Sequence, residues 1–299
     1  MKRIQVTFIL CLLIIIGITS NQAHAGPFSR DEVIEQALNY FSEHTIDVNI
    51  QRYYYRYAEP NLMKEQDYMQ GASIAYTYRP TTENFDYDIR NPLALLNNVD
   101  MLRAEGKYCY GLLDYDSEGT GESQNDPYHV LELRGLVGRD LATFKNTLIT
   151  PYLGFGYRYL KDDSGGTTTS TGHASYDRES NYFYIPIGVE SYHQLTETFA
   201  LKLTAEYDHF LFGRQISHLE DASPYYETTK NDQKDGYGAR GSIRLIKQFE
   251  NVDLYIEPFV NFWKIEDSER SNVIFNGVVI GTGIEPDNNT TEYGFKLGA

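Results

Sequence analysis

Cysteine is nearly absent: Cys11 and Cys109 are the only two in 299 residues. Cys11 lies in an N-terminal apolar run, so the body of the chain holds one thiol and no intramolecular disulfide. A lone thiol suits a chain that crosses an oxidising compartment before it folds. Positive charge is also scarce, with 26 Lys and Arg against 42 Asp and Glu. That balance excludes a nucleic-acid reader, because phosphates demand a basic footprint. Long apolar runs are missing as well. Past the N-terminus none reaches the roughly 18 residues of a spanning helix. Mean hydropathy is −0.47, yet there are 26 tyrosines. A large soluble β-domain would need longer apolar faces shared across a packed core.

What the chain has is period-two alternation. In PYLGFGYRYL, Leu153, Phe155, Tyr157 and Tyr159 alternate with Tyr152, Gly154, Gly156 and Arg158. In NYFYIPIGVE, Phe183, Ile185, Ile187 and Val189 alternate with Tyr182, Tyr184, Pro186, Gly188 and Glu190. Such alternation predicts strands with one apolar face. Glycine, tyrosine and charge on the other face make a poor soluble core but a good wet lumen. Ten strands are predicted, over about 47–59, 69–79, 99–115, 128–141, 151–160, 181–190, 199–217, 237–249, 253–266 and 291–299. The connections ATFKN, QLTET and ENV are short. PNLMKEQDY, DSEGTGESQND and the segments 161–180, 218–235 and 267–290 read as loops. Alternating short and long connections, an even strand count and strands apolar on one side predict a transmembrane antiparallel up-and-down β-barrel over 46–299. The connection Pro80–Asn97 fits this rhythm least; part of it is expected to extend strand three downwards.

The N-terminus reads differently. Lys2 and Arg3, the apolar run Phe8–Ile18 and Ala23-His24-Ala25 predict a signal peptide over 1–25. Without it, 24 basic residues face 42 acidic ones, a net charge of −18. Residues 26–45 then carry a capping box, Ser29 with Glu32, and apolar residues at helical spacing. They predict a short amphipathic helix, about 30–42, either lying at the periplasmic mouth or plugging the lumen.

Register follows from the later strands. Leu201, Leu203, Ala205, Tyr207, Ile243, Leu245, Leu254, Ile256 and Val260 are expected to face lipid. Arg103, Glu105, Lys107, Glu132, Arg134, Arg158, Glu190, Lys202, Glu206, Asp208, Arg240, Arg244 and Glu257 are expected inside, as a structural ion network filling a narrow barrel. A narrow pore is the alternative reading of the same residues. Asp114, Asp116, Glu118, Glu122 and Asp126 make an acidic loop. It looks partly like a calcium loop but has Asn125 where a bidentate glutamate is needed. No cofactor, catalytic group or metal site is assigned.

PYLGFGYRYL, YFYIPIGVE and the closing TTEYGFKLGA resemble the small bacterial outer-membrane β-barrel superfamily, the OmpA-like or porin-like barrels. The resemblance covers 46–299 and implies outer-membrane localisation, contact with outer-membrane lipid and lipopolysaccharide, and handling by the barrel assembly machinery. In that superfamily the last strand usually ends in an aromatic residue; here Phe295 is the last, before Leu297-Gly298-Ala299. Asp208-His209 and the pair Asp114 and Asp116 resemble omptin protease residues only in scattered positions. Adjacent Asp208 and His209 must point to opposite faces of a strand. The expected function is a monomeric, non-enzymatic surface protein that meets an extracellular ligand or host surface through acidic loops, with no nucleic-acid partner. A narrow channel is the alternative, and an omptin-like rim enzyme the third.

Overall fold

The computed structural model describes residues 40–79, 99–144 and 146–299, with positions 32 and 35–37. The leader 1–25 and the connection Pro80–Asn97 lie outside the described residues. So does most of the predicted N-terminal helix, of which positions 32, 35–37 and 40 are helical.

Ten long antiparallel strands close into a barrel: β1 (His44–Glu59), β2 (Met63–Tyr78), β3 (Met101–Ser117), β4 (Gly121–Gly138), β6 (Thr147–Asp162), β7 (Arg178–Gln194), β8 (Phe199–Ser217), β10 (Gly236–Gln248), β11 (Asp253–Ile265) and β14 (Asn288–Gly298). Each pairs with its neighbour in this order, and β14 pairs with β1 to close the ring. Four short strands are accessory. β5 (Leu141–Phe144) pairs with the foot of β6, and β9 (Thr229–Gln233) continues the line of β10 upwards beside β8. β12 (Ser271–Phe275) and β13 (Val278–Gly283) form a separate hairpin. No helix among the described residues is long and apolar enough to cross a membrane; the crossing is made by strands.

The predicted strand over 199–217 coincides with β8, and the lipid and lumen faces fall as the alternation predicts. Ile46, Ile50, Ile74, Phe155, Leu203, Ile243, Ile256 and Val260 are exposed on the outer wall. In water such a band would be untenable; in hydrocarbon it is required.

Two predicted loops are instead tall strands with tight turns. β2 already begins at Met63, and the β1–β2 turn is residues 60–62, with Asn61 at φ 63°. The β3–β4 turn is residues 118–120, so DSEGTGESQND is mostly strand. A bulge near Leu113 places Asn125 at φ 61°, a conformation asparagine tolerates better than most residues. Above the bilayer both faces of a strand meet water, so the apolar half of the alternation disappears and such ribbon reads as loop.

Candidate functional site in the lumen

Alternation turns every second residue of each strand inward, and on these strands many inward residues are charged. Near the periplasmic end, Arg103 donates to both oxygens of Glu190, at 2.6 and 3.0 Å, and Lys202 reaches the same carboxylate at 3.4 Å. Arg244 bridges Glu257 and Asp47, and Lys296 donates to Glu257 at 2.8 Å. The Arg244 guanidinium also lies 3.6 Å from the centre of the Tyr255 ring.

One level up, Arg240 is the hub. It donates to Glu132 at 2.5 and 3.0 Å and to Asp208 at 2.6 Å, and lies 3.1 Å from Glu206. Arg134 pairs with Glu206 and, at 3.2 Å, with Glu105. Lys107 is 3.2 Å from Glu132. Arg158, fully buried, donates to Glu292 at 2.5 Å. Tyrosine hydroxyls complete the shell: Tyr184 donates to Glu132 and Tyr152 to Glu206, both at 2.7 Å. All thirteen residues assigned to the lumen by alternation thus take part in a ladder of ion pairs made of two sets, Arg244 and Glu257 in one with Asp47 and Lys296, and the other eleven in a second that includes Glu292.

Two glycines make room for it. A Cβ on Gly156 would sit 2.1 Å from the Tyr184 ring, and one on Gly188 would sit 2.4 Å from Tyr152. These are the two tyrosines whose hydroxyls hold Glu132 and Glu206.

Above the ladder the lumen is packed with rings. Tyr53, Tyr55, Tyr184 and Trp263 are at most 1% exposed, and Tyr184 meets Trp263 edge to face at 5.0 Å. Among the charged rungs themselves, toward the periplasmic end, a cavity of about 250 Å³ opens, bordered by Phe41, Asp47, Arg103, Lys202, Arg244 and Glu257 among others. Ala37, Tyr40 and Phe41 pack against Leu148, Tyr192, Ile246 and Tyr255 at the foot of this cavity.

A third cluster was not foreseen. At the extracellular end Arg178 pairs with Glu59 at 3.1 Å, with Asp162 at 3.2 Å and with Glu65. Tyr57 donates to Glu59 at 3.1 Å and to Glu285 at 3.3 Å. Burial, and the nearby Glu59 carboxylate, push the Glu285 carboxyl up to about 8. Glu65, Asp162 and Arg178 sit in segments that read as loops. No apolar alternation runs through MKEQDY, whose two apolar residues, Met63 and Tyr68, fall on opposite faces of the strand, so the sequence carries no signal for this cluster.

The residues that resemble a protease do not converge. Asp208 faces the lumen and pairs with Arg240, while His209 lies on the outer face beside Tyr207. Asp116 pairs with Lys64 at 2.9 Å and Asp114 accepts from the Asn125 amide at 3.3 Å. Because the β3–β4 turn is three residues long, the twelve-residue calcium-type loop does not exist here. Among the described residues no group of three or more His, Cys, Asp or Glu could hold a metal ion.

No family model and no curated protein matches the sequence. Solved structures do. The outer membrane protease OmpT from Escherichia coli matches with a TM-score of 0.50 and 11% identity over 86% of this chain and 97% of that one. The translocator domain of the autotransporter NalP from Neisseria meningitidis matches at 0.40 and 7% identity, over 89% and 92%. Ail, the attachment invasion locus protein of Yersinia pestis, matches at 0.27 and 7% identity, over 87% and 100%. The first likeness carries the fold. Together with the closed ring and the apolar outer wall, it shows that this chain has the fold of a ten-strand outer-membrane-type β-barrel.

Proposed function

We propose that the chain is a non-conducting, non-enzymatic surface barrel, which anchors an ordered extracellular rim and meets its ligands there. The observation that carries this is the filled lumen. Trp263, Arg158, Tyr53, Tyr55 and Tyr184 are the largest of the fully buried side chains. Barrel width grows with strand number: eight strands are filled by side chains, and sixteen or more enclose an aqueous channel. Ten strands with this filling favour a solid wall over a pore. The opposite orientations of Asp208 and His209 speak against an omptin-like dyad. The rim, by contrast, is built: the β12–β13 hairpin docks on the preceding loop through Phe275, which packs on Tyr226 at 5.0 Å, and Lys234 pairs with Glu269 at 2.5 Å.

Planar-bilayer recording on purified wild-type protein tests this reading. No stable conductance steps are expected. Reproducible steps that vanish when a bulky side chain replaces Gly156 would promote the channel instead.

A further inference from the structure

On the outer wall of the upper barrel, most cations come with acids. Lys64 lies 2.9 Å from Asp116, Lys161 2.8 Å from Asp163, Arg214 2.6 Å from Asp232 and Lys264 3.1 Å from Glu266. Arg52 and Arg56 on β1 break the pattern. Both are exposed on the lipid side of the strand, and neither pairs with a carboxylate among the described residues. Arg52 only leans over the Tyr68 ring, 5.1 Å from its centre.

Their height is set by the strand. Arg52 is eight residues above His44 on β1. At about 3.3 Å per residue and a tilt of about 40°, that is about 20 Å above the periplasmic end. Ile46, Val48 and Ile50 cover the same face below it. The next row up is aromatic: Tyr54 pairs in register with Tyr68 and Tyr293, with ring centres 5.6 and 5.4 Å away. Arg56 follows, flanked by Gln66 and Thr291. The aliphatic band therefore ends at Ile50, and three tyrosines lie between two bare guanidinium groups.

An arginine on the lipid face costs about 2–4 kcal/mol at midplane and about 0–1 near the interface. Two of them without a protein counter-charge call for one from the leaflet. Guanidinium is the side chain that grips phosphate in a planar, two-point geometry. Tyrosine rings suit the boundary between acyl chains and headgroups. The chain as a whole is strongly anionic, at −16, so this patch is a local exception to a surface that repels anions.

We propose that Arg52 and Arg56, with Tyr54, Tyr68 and Tyr293 between them, bind the phosphorylated sugar headgroup of lipopolysaccharide in the outer leaflet. Native mass spectrometry of the detergent-solubilised protein, titrated with diphosphoryl lipid A, tests it. Wild type should bind this lipid at least about ten-fold more tightly than its dephosphorylated counterpart, a gap of about 1.4 kcal/mol. The double variant Arg52→Gln/Arg56→Gln should lose that preference, whereas Arg214→Gln should keep it. Excess inorganic phosphate should not compete; competition at equal concentration would assign the site to the free anion. Equal binding of the two lipids to wild type would overturn the proposal without recourse to any variant. So would an unchanged preference in a double variant that still shows the heat-modifiable gel mobility of a folded barrel.

Discussion

At the residue scale, lumen glycines act through the tyrosines that cover them. Gly156 admits the Tyr184 ring, and Tyr184 donates to Glu132, which Arg240 grips with two further bonds. A methyl at Gly156 must push the ring off that carboxylate. Overpacking of this kind costs about 1–3 kcal/mol. Gly135 offers the control, because a Cβ there meets nothing within 4 Å. Gly156→Ala should lower the denaturant midpoint of the folded barrel, while Gly135→Ala should leave it nearly unchanged. The single tryptophan, Trp263, packs on Tyr184 and reports the transition by its fluorescence. Equal midpoints for the two variants would mean that the lumen yields to a methyl group.

At the element scale, strands within the bilayer were legible and strands above it were not. Inside hydrocarbon one face must be apolar, and Leu201, Leu203 and Ala205 against Lys202, Thr204 and Glu206 give β8 its register directly. Beyond the bilayer the constraint lapses. PNLMKEQDY and DSEGTGESQND read as loops although they are mostly strand, and alternation gives no sign of the cluster around Arg178. That cluster yields a pH dependence. Glu285 lies in the connection between β13 and β14, above the membrane-spanning part. Tyr57 and Glu59 of β1 and Arg178 of β7 surround it. Its carboxyl is raised from an ordinary 4.5 to about 8, so the folded state holds the proton more tightly than the unfolded chain. The stabilisation is complete below the unfolded value of 4.5 and is lost as pH rises through about 8. Between about pH 6 and about pH 9, wild type should lose more stability to denaturant than Glu285→Gln, which cannot ionise. Parallel curves for the two proteins would remove Glu285 as the titrating group.

At the scale of the whole molecule, two closures act in series along the lumen. The lower one is Tyr40 and Phe41, packed on Tyr192 at 5.2 and 4.8 Å between ring centres, under the cavity of about 250 Å³. The upper one is the central ion ladder with the ring layer on top, where Arg158 lies 5.5 Å from the centre of the Trp263 ring and pairs with Glu292. Alternation could place Arg158 and Trp263 inside. It could not show that they meet, because that depends on how the strands stagger around the ring. Closures in series do not act additively on flow: removing one leaves the other in full. The lower one holds a cavity already open to water-sized space, so its loss should only connect that cavity to the periplasm. Tyr40→Ala/Phe41→Ala should therefore leave planar bilayers silent. Arg158→Ala/Trp263→Ala removes two of the largest buried side chains from the upper closure and leaves Glu292 and Glu132 without Arg158 between them, so water should enter. Joined to the first pair, it should produce small, cation-preferring conductance steps that neither pair gives alone. Steps from the Tyr40/Phe41 variant by itself would mean that the central layer is already permeable and that the N-terminal segment is the only barrier.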